Sequence, residues 1–260
     1  MKKSVLDRIV ETRWGTIDED KSRTTEEFLK KQSFENQTVS LSKAIKEQPQ
    51  ISLIAEIKTA SPSKGTIRTN IPIGDLAKIY SGSGASALSV LTEPNFFNGQ
   101  WHYLQTAKQH TDAPIMCKDF IIDEFQLLMA RANKADAVLL IAAILDDTQL
   151  HDMIAKAHEL NLEVLTEAIN AEELERVLAS ETDLIGINNR NLHTLKVDLN
   201  LSYDLLKDLK DERPVIVESG IFERQDVVRL EKAGADGILV GTALMESDDI
   251  AKKIKELLGK

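Results

Sequence analysis

Three titratable side chains stand where apolar runs stop. Pro114-Ile115-Met116-Cys117 leads into Lys118, Ile51-Ser52-Leu53-Ile54-Ala55-Glu56-Ile57 into Lys58, and Leu162-Glu163-Val164-Leu165-Thr166 into Glu167. Amines and a carboxyl gathered at one end of a parallel sheet can donate and accept protons in turn, which is general acid–base chemistry. A chain that only needed to fold would rarely place charge there, because burying it is costly. Side chains alternate along a strand, so Glu56 and Lys58 share one face, that of a barrel interior.

Other apolar runs end in groups suited to holding a substrate. Ser61-Pro62-Ser63-Lys64-Gly65 is polar and basic and could grip an anion, although a charged surface turn reads the same way. Glu218-Ser219-Gly220 and Val240-Gly241-Thr242 bring glycine backbone and hydroxyl donors to two neighbouring strand ends, where many barrels bind phosphate. Ala243-Leu244-Met245 would supply the short helix that completes such a site, and tight strand–helix turns are the plainer alternative. Asn188-Asn189-Arg190-Asn191 offers a guanidinium fork for a carboxylate, or simply an Asn-rich turn. The histidines, at positions 102, 110, 151, 158 and 193, share no metal-ligand spacing and read as surface residues. Cys117 reads as a small packed side chain, and Trp14 and Trp101 as packing residues.

The elements that must position these groups recur along the chain. Strands are expected near 51-58, 86-92, 114-118, 135-142, 162-167, 183-188, 214-219 and 236-241, with ends roughly 21 to 34 residues apart, room for a crossover helix each time. Runs such as Ala137-Val138-Leu139-Leu140-Ile141 look covered on both faces. Asp123 with Gln126, Asp146 with Gln149 and Asn170 with Glu173 mark helix starts, and Gln126–Ala130 and Val227–Leu230 supply apolar stripes. Strict alternation favours a closed (β/α)8 TIM barrel, and no glycine-rich dinucleotide fingerprint supports an open sheet. Residues 1–50 exceed what the barrel needs. Val5, Leu6, Ile9 and Val10, then Phe28 with Leu29, then Leu41, Ala44 and Ile45 each fit one face of a short helix. Asp18–Arg23 reads as a charged, solvated connection between the first two. The expectation is one domain over 1–260, an N-terminal helical extension (1–50) and a barrel (51–260).

Composition narrows the partners. With 260 residues, 42% of them hydrophobic, the chain can bury a large core. A net charge of -10 argues against nucleic acid or an anionic membrane as the main partner, while leaving room for a small anionic ligand. The single cysteine fits a reducing compartment, and the polar-interrupted stretch after Met1-Lys2-Lys3 is no secretory signal. A cytoplasmic location is expected.

Together these strand ends resemble the indole-3-glycerol phosphate synthase family. The resemblance rests on Ile54–Lys58 with Ser61–Gly65, on Leu91-Thr92-Glu93-Pro94 with Phe96-Phe97-Asn98-Gly99, and on Lys118–Asp123. It continues through Gly186–Leu192, Glu218–Ile221 and Gly241–Met245, spanning the barrel. It implies a carboxy-lyase of tryptophan biosynthesis acting on 1-(2-carboxyphenylamino)-1-deoxyribulose 5-phosphate. The ring closes, carbon dioxide and then water leave, and no metal or organic cofactor takes part. Carried over by motif, Lys118 would be the general acid and Lys58 would assist at the carbonyl or in dehydration. Glu167 would be the other acid–base partner, with Glu56 orienting the lysines. Asn188 and Arg190 match residues around the anthranilate carboxylate. Ser61, Ser219, Gly220, Gly241 and Thr242 match the phosphate grip, Glu218 the base of the site, and Phe97 the lid over the aromatic ring. Thr166 before Glu167 and Cys117 before Lys118 depart from the family's usual pattern without removing a role-bearing group. The charge neither favours nor excludes transient contact with other tryptophan-pathway enzymes.

Two other classes compete. A different phosphate-binding barrel, such as a phosphoribosylanthranilate isomerase or a Schiff-base aldolase with Lys118 as nucleophile, would use the same fold. A non-catalytic barrel that binds a phosphorylated metabolite would have no use for Lys58, Lys118 and Glu167 together.

Overall fold

Eight parallel strands form where the sequence runs apolar: β1 (Ser52–Ile57), β2 (Ala87–Leu91), β3 (Ile115–Lys118), β4 (Ala137–Ile141), β5 (Glu163–Ala168), β6 (Leu184–Asn188), β7 (Val215–Glu218) and β8 (Gly237–Val240). In this computed structural model, which describes residues 3–33 and 37–260, they close on themselves. β1 pairs with β8, Ser52 opposite Gly237, and with β2, Ile54 opposite Ala87, so no edge is left. The open-sheet alternative is thereby excluded. Met1 and Lys2, part of the stretch weighed as a leader, lie outside the described residues.

Alternation divides the apolar residues into two layers. Leu53, Ala55 and Ile57 face the surrounding helices, and their counterparts on the other strands do the same. Ile54, Ala87, Met116, Leu165 and Ile216 fill the lumen. Two residues further along their strands stand Glu56, Ser89, Lys118, Glu167 and Glu218. The same period that packs the lower lumen therefore delivers charge to the upper one. Asp123 and Asp146 cap their helices in reciprocal boxes with Gln126 and Gln149, as the spacing predicts. Asn170 accepts from the Glu173 amide, while the Glu173 carboxylate accepts from the Asn170 side-chain amide and the Ile169 backbone amide rather than from the Asn170 backbone.

The extension forms three helices: α1 (Val5–Arg23), α2 (Glu26–Ser33) and α3 (Leu41–Lys46). Leu41 and Ile45 of α3 join the lumen cluster at the amino-terminal end of the barrel, where Ser52 donates to the Ile45 carbonyl at 2.9 Å. Glu163, at the start of β5, accepts from the Ser40 hydroxyl at 2.6 Å and the Ser42 amide at 2.7 Å, anchoring the first turn of α3. Burying Leu41 and Ile45 is worth about 1.5–3 kcal/mol each. The lower end is a sealed floor.

Residues 18–23 are not a connection. α1 continues through them to a cap at Thr24, because Ile17 is buried beneath and Glu19 pairs with Arg23 at 3.3 Å one turn on. The high charge belongs to the solvated face of a helix. Two aromatic assignments also change: Trp14 is 46% exposed and Phe28 54%, leaving Leu29 as the buried residue of α2. Trp101 does pack, with its indole N–H donating to Asp20 at 3.1 Å. Among the described residues no helix is long and apolar enough to cross a membrane.

Candidate active site

One cavity at the carboxyl ends of the strands is lined by every residue to which the resemblance gave a role except Ser61. At its centre is Lys118, whose Nζ lies 2.7 Å from Glu218 Oε2 and 3.7 Å from Glu167 Oε2. Beside it Lys58 pairs with Glu56. The three carboxylates are at most 3% exposed, so their charges are held by the lysines rather than by water. Glu218 is thus more than the base of the site. It is the direct partner of Lys118, and Glu56 belongs to Lys58.

These contacts decide the protonation states. Burial would push the Lys118 amine down, but Glu218, then Glu167 and Glu56, outweigh it and hold its pKa above the usual lysine value. It stays charged, the form a proton donor needs. Burial drives the Glu56 carboxyl up, yet Lys58, Lys118 and Arg190 overcome this and leave it below its ordinary value. Glu167 goes the other way. Burial first, then the Glu218 charge, raise it to about 7, against the pull of Lys118 and the Asn188 amide. A group near neutrality can serve as base and then as acid. Glu167 Oε1 and Glu218 Oε1 are buried with no hydrogen-bond partner among the described residues, so each keeps an acceptor free.

The loops shape the rest. Ser219 and Gly220 both take left-handed backbone, φ 66° and 82°, turning the chain sharply after β7, and the Asn189 side chain donates to the Ser219 carbonyl at 3.1 Å. A serine held in that region is strained, as residues at functional sites often are. Gly241 has a requirement that its motif did not suggest: a Cβ there would lie 2.0 Å from Glu56 Oε2. The glycine makes room for the Glu56 carboxylate. Thr242 opens the short helix Thr242–Met245, as expected. Asn188 Oδ1 accepts from the Arg190 amide at 2.9 Å, and the Arg190 guanidinium donates to the Leu195 carbonyl at 3.1 Å while facing the cavity. Burial lowers its pKa against the raising effect of Glu56. Phe97 meets the Phe120 ring at 5.9 Å.

Ser61 stands apart, in a two-residue hairpin (Ala60–Ser61 with Gly65–Thr66) beside an adjoining recess. That recess shares Lys58, Phe97, Arg190 and Thr242 with the main cavity and is roofed by Leu6 and Ile9 of α1. Lys64 of the same loop pairs with Glu246 rather than facing the site.

Several contributors escaped the sequence reading. Leu139, Ile141 and Leu239 form an apolar floor, but they are of the same types as the lumen residues below them. Glu93 is fully buried, and its carboxylate accepts from the Asn95, Phe96 and Phe97 amides at 2.9, 2.7 and 3.1 Å. It thereby holds the loop that carries Phe97. A glutamate followed by Pro-Asn was the available signal, since a turn there leaves amides to be capped. Cys117 packs as expected, fully buried with its thiol pKa pushed up by burial.

Fold and cavity define a (β/α)8 barrel with a lysine–carboxylate cluster at its mouth. The model of one family, described as indole-3-glycerol phosphate synthase, matches residues 6–257. An indole-3-glycerol phosphate synthase from Legionella pneumophila (strain Paris) is 45% identical over 215 residues, 83% of either chain. One from Desulforamulus reducens is 46% identical over 217 residues, 83% of this chain and 82% of its own. The chain belongs to the indole-3-glycerol phosphate synthase family. Among solved structures, a mutant tryptophan synthase alpha-subunit from Pyrococcus furiosus matches with a TM-score of 0.64 at 20% identity, covering 81% of this chain and 99% of that one. A thiamine phosphate pyrophosphorylase from the same organism gives 0.60 at 19%, with 81% and 94% covered. These two share the fold.

Proposed function

We propose that this chain converts 1-(2-carboxyphenylamino)-1-deoxyribulose 5-phosphate to indole-3-glycerol phosphate, as a carboxy-lyase of tryptophan biosynthesis. The observation that carries the chemistry is the placement of Lys118 Nζ between Glu218 and Glu167. Ring closure forms a bond from the aromatic carbon bearing the carboxylate to the ketone carbon. The ketone oxygen needs a proton as that bond forms, and Lys118 is charged and aimed into the cavity to give it. Carbon dioxide then leaves with its bonding pair returned to the ring. Loss of water needs an acid for the hydroxyl and a base for a ring-system proton. Lys58 and Glu167 take these parts, Glu167 being the carboxyl poised near neutrality.

Binding follows from the walls. Arg190 and Asn188 hold the anthranilate carboxylate, in the fork geometry that arginine offers. Backbone amides around Ser219–Gly220 and Gly241–Thr242 hold the phosphate, with Ser61 approaching from the recess. Phe97, with Leu139 and Ile141, encloses the aromatic ring. Glu218 and Glu56 orient the two lysines, and Glu218 helps to hold Lys118 charged. The catalytic set is therefore Lys118, Lys58, Glu167, Glu56 and Asn188, and none of these steps is assigned to a metal or organic cofactor. The chain is read as one barrel domain (51–260) with its extension (1–50), working in the cytoplasm. The single cysteine, which can form no internal disulfide, fits that location. Transient contact with other enzymes of the pathway is part of the reading through the shared route alone.

The test is direct: purified protein with the carboxyphenylamino-deoxyribulose phosphate, no added metal, and indole absorbance followed in time. Appearance of indole is the expected result. Saturable binding of the substrate with no indole would replace the enzyme by a metabolite-binding barrel.

A further inference from the structure

We infer that Arg13, in the N-terminal extension, is a positioning residue for the reaction, acting through Asp119 to set the orientation of Lys118 and Phe120. The inference rests on the reading of Lys118 as the acid. Arg13 lies on α1, yet its side chain is fully buried. It reaches 106 residues along the chain to grip Asp119 in a two-pronged fork, Nε to Oδ1 at 2.9 Å and Nη2 to Oδ2 at 3.0 Å, both side chains fully enclosed. The guanidinium is itself fixed by donating to Thr16 at 2.6 Å and lies 5.4 Å from the centroid of the Trp101 ring.

Asp119 is the chain neighbour of Lys118, and it is held from every side. Besides the fork, it accepts from the Thr92 hydroxyl at 2.6 Å and from the Phe120 amide at 2.8 Å. The Thr92 amide in turn donates to the Lys118 carbonyl at 3.2 Å. The peptide between Lys118 and Asp119 is thus clamped at both ends, directly beneath the amine that meets Glu218 and beside the ring that meets Phe97.

A staple for α1 would not need this arrangement. Leu6, Ile9 and Ile17 already bury their side chains under the helix, and Lys21 ties it to Asp123 at 2.7 Å. Burying an ion pair costs desolvation that an apolar pair of the same volume avoids. What the fork adds is direction: two parallel hydrogen bonds fix an angle as well as a distance. Small displacements of a reacting group are costly, up to about a hundredfold for 1 Å. The extension therefore helps build the site as well as cover it.

The experiment compares Arg13→Lys, Thr92→Val and Lys21→Met with the unaltered protein and with Lys118→Ala, measuring kcat, KM and Tm on each. Arg13→Lys keeps the buried charge but loses the fork, so it should fold while kcat falls about ten- to a hundredfold with KM changed by less than about threefold. Thr92→Val, which removes one donor and leaves the ion pair, should lose roughly threefold to tenfold in kcat with little change in Tm. Lys21→Met, which loosens α1 without touching Asp119, should keep kcat within about twofold. Coupling gives a further check: Arg13→Lys combined with Asp119→Asn should be no slower than the slower single variant. An Arg13→Lys protein with a lower Tm and an unchanged kcat would make the pair a staple and overturn the proposal. A Lys118→Ala protein of normal rate would instead overturn the acid assignment, and this inference with it.

Discussion

The two ends of this barrel are built from the same strands and the same alternation, and they do opposite work. At the lower end Ile54, Met116, Leu165 and Ile216 meet Leu41 and Ile45 of α3 in an apolar plug. Two residues higher, the corresponding positions carry Glu56, Lys118, Glu167 and Glu218, next to a recess lined by Leu6 and Ile9 from α1. The extension sends one helix to each end. At the floor, burial is the whole purpose, and each side chain is replaceable by another of like volume. At the mouth, burial tunes protonation: it raises Glu167 to about 7, while the neighbouring carboxylates keep Lys118 protonated. Stability is stored at one end, and at the other it is given up for chemistry.

Substitutions at the two ends should therefore separate cleanly. Glu167→Gln should lower kcat by orders of magnitude, at least about a thousandfold, with the thermal transition intact or raised. A rate within tenfold of normal would break the contrast at its upper end. Leu41→Ala should behave in reverse, losing about 2–5 kcal/mol of unfolding free energy with turnover per folded molecule unchanged. Urea unfolding and kcat on the same preparation check both halves, and a kcat loss would show that floor and mouth are coupled. Gly241→Ala sits between these cases, since its Cβ would displace the Glu56 carboxylate. A kcat loss of roughly tenfold to a hundredfold is expected, with a Tm change of a few degrees. Unaltered kinetics would remove Glu56 from the site.

The smallest effect concerns pH. A carboxyl whose folded pKa is raised favours the protonated form, so its penalty is absent below the unfolded value and grows as pH climbs toward the folded one. For Glu167 that window runs from a glutamate's ordinary 4.5 to about 7. The stability of Glu167→Gln relative to the unaltered protein should therefore improve across that range and level off above it. A flat difference would mean that Glu167 is not perturbed.

Much of this was legible before any coordinates. Strands covered on both faces leave continuous apolar runs, so the expected spans match every barrel strand to within two residues. What stayed hidden depends on contacts between distant segments. Arg13 on a helix with charged neighbours reads as a surface residue, and only docking onto Asp119, 106 positions away, buries it. The stretch 18–23 reads as solvated because of its charge, yet Asp20 accepts from the Trp101 indole on the barrel side. Leu139 and Ile141 could not be told from core, because a cavity floor and a packed lumen call for the same side chains. The pairing of Glu218 with Lys118 is hidden for a related reason: sequence orders strands along the chain, whereas the β3 and β7 ends meet across the mouth of the barrel.

The central claim is that Lys118, held charged by Glu218 and Glu167, supplies the proton for ring closure. Its most direct test is single-turnover indole formation by Lys118→Ala beside the unaltered protein, with substrate affinity and circular dichroism measured on both. The account predicts native circular dichroism, substrate affinity reduced by no more than about tenfold and a rate lower by at least about a thousandfold. Indole formed at a near-normal rate by the folded variant would contradict it.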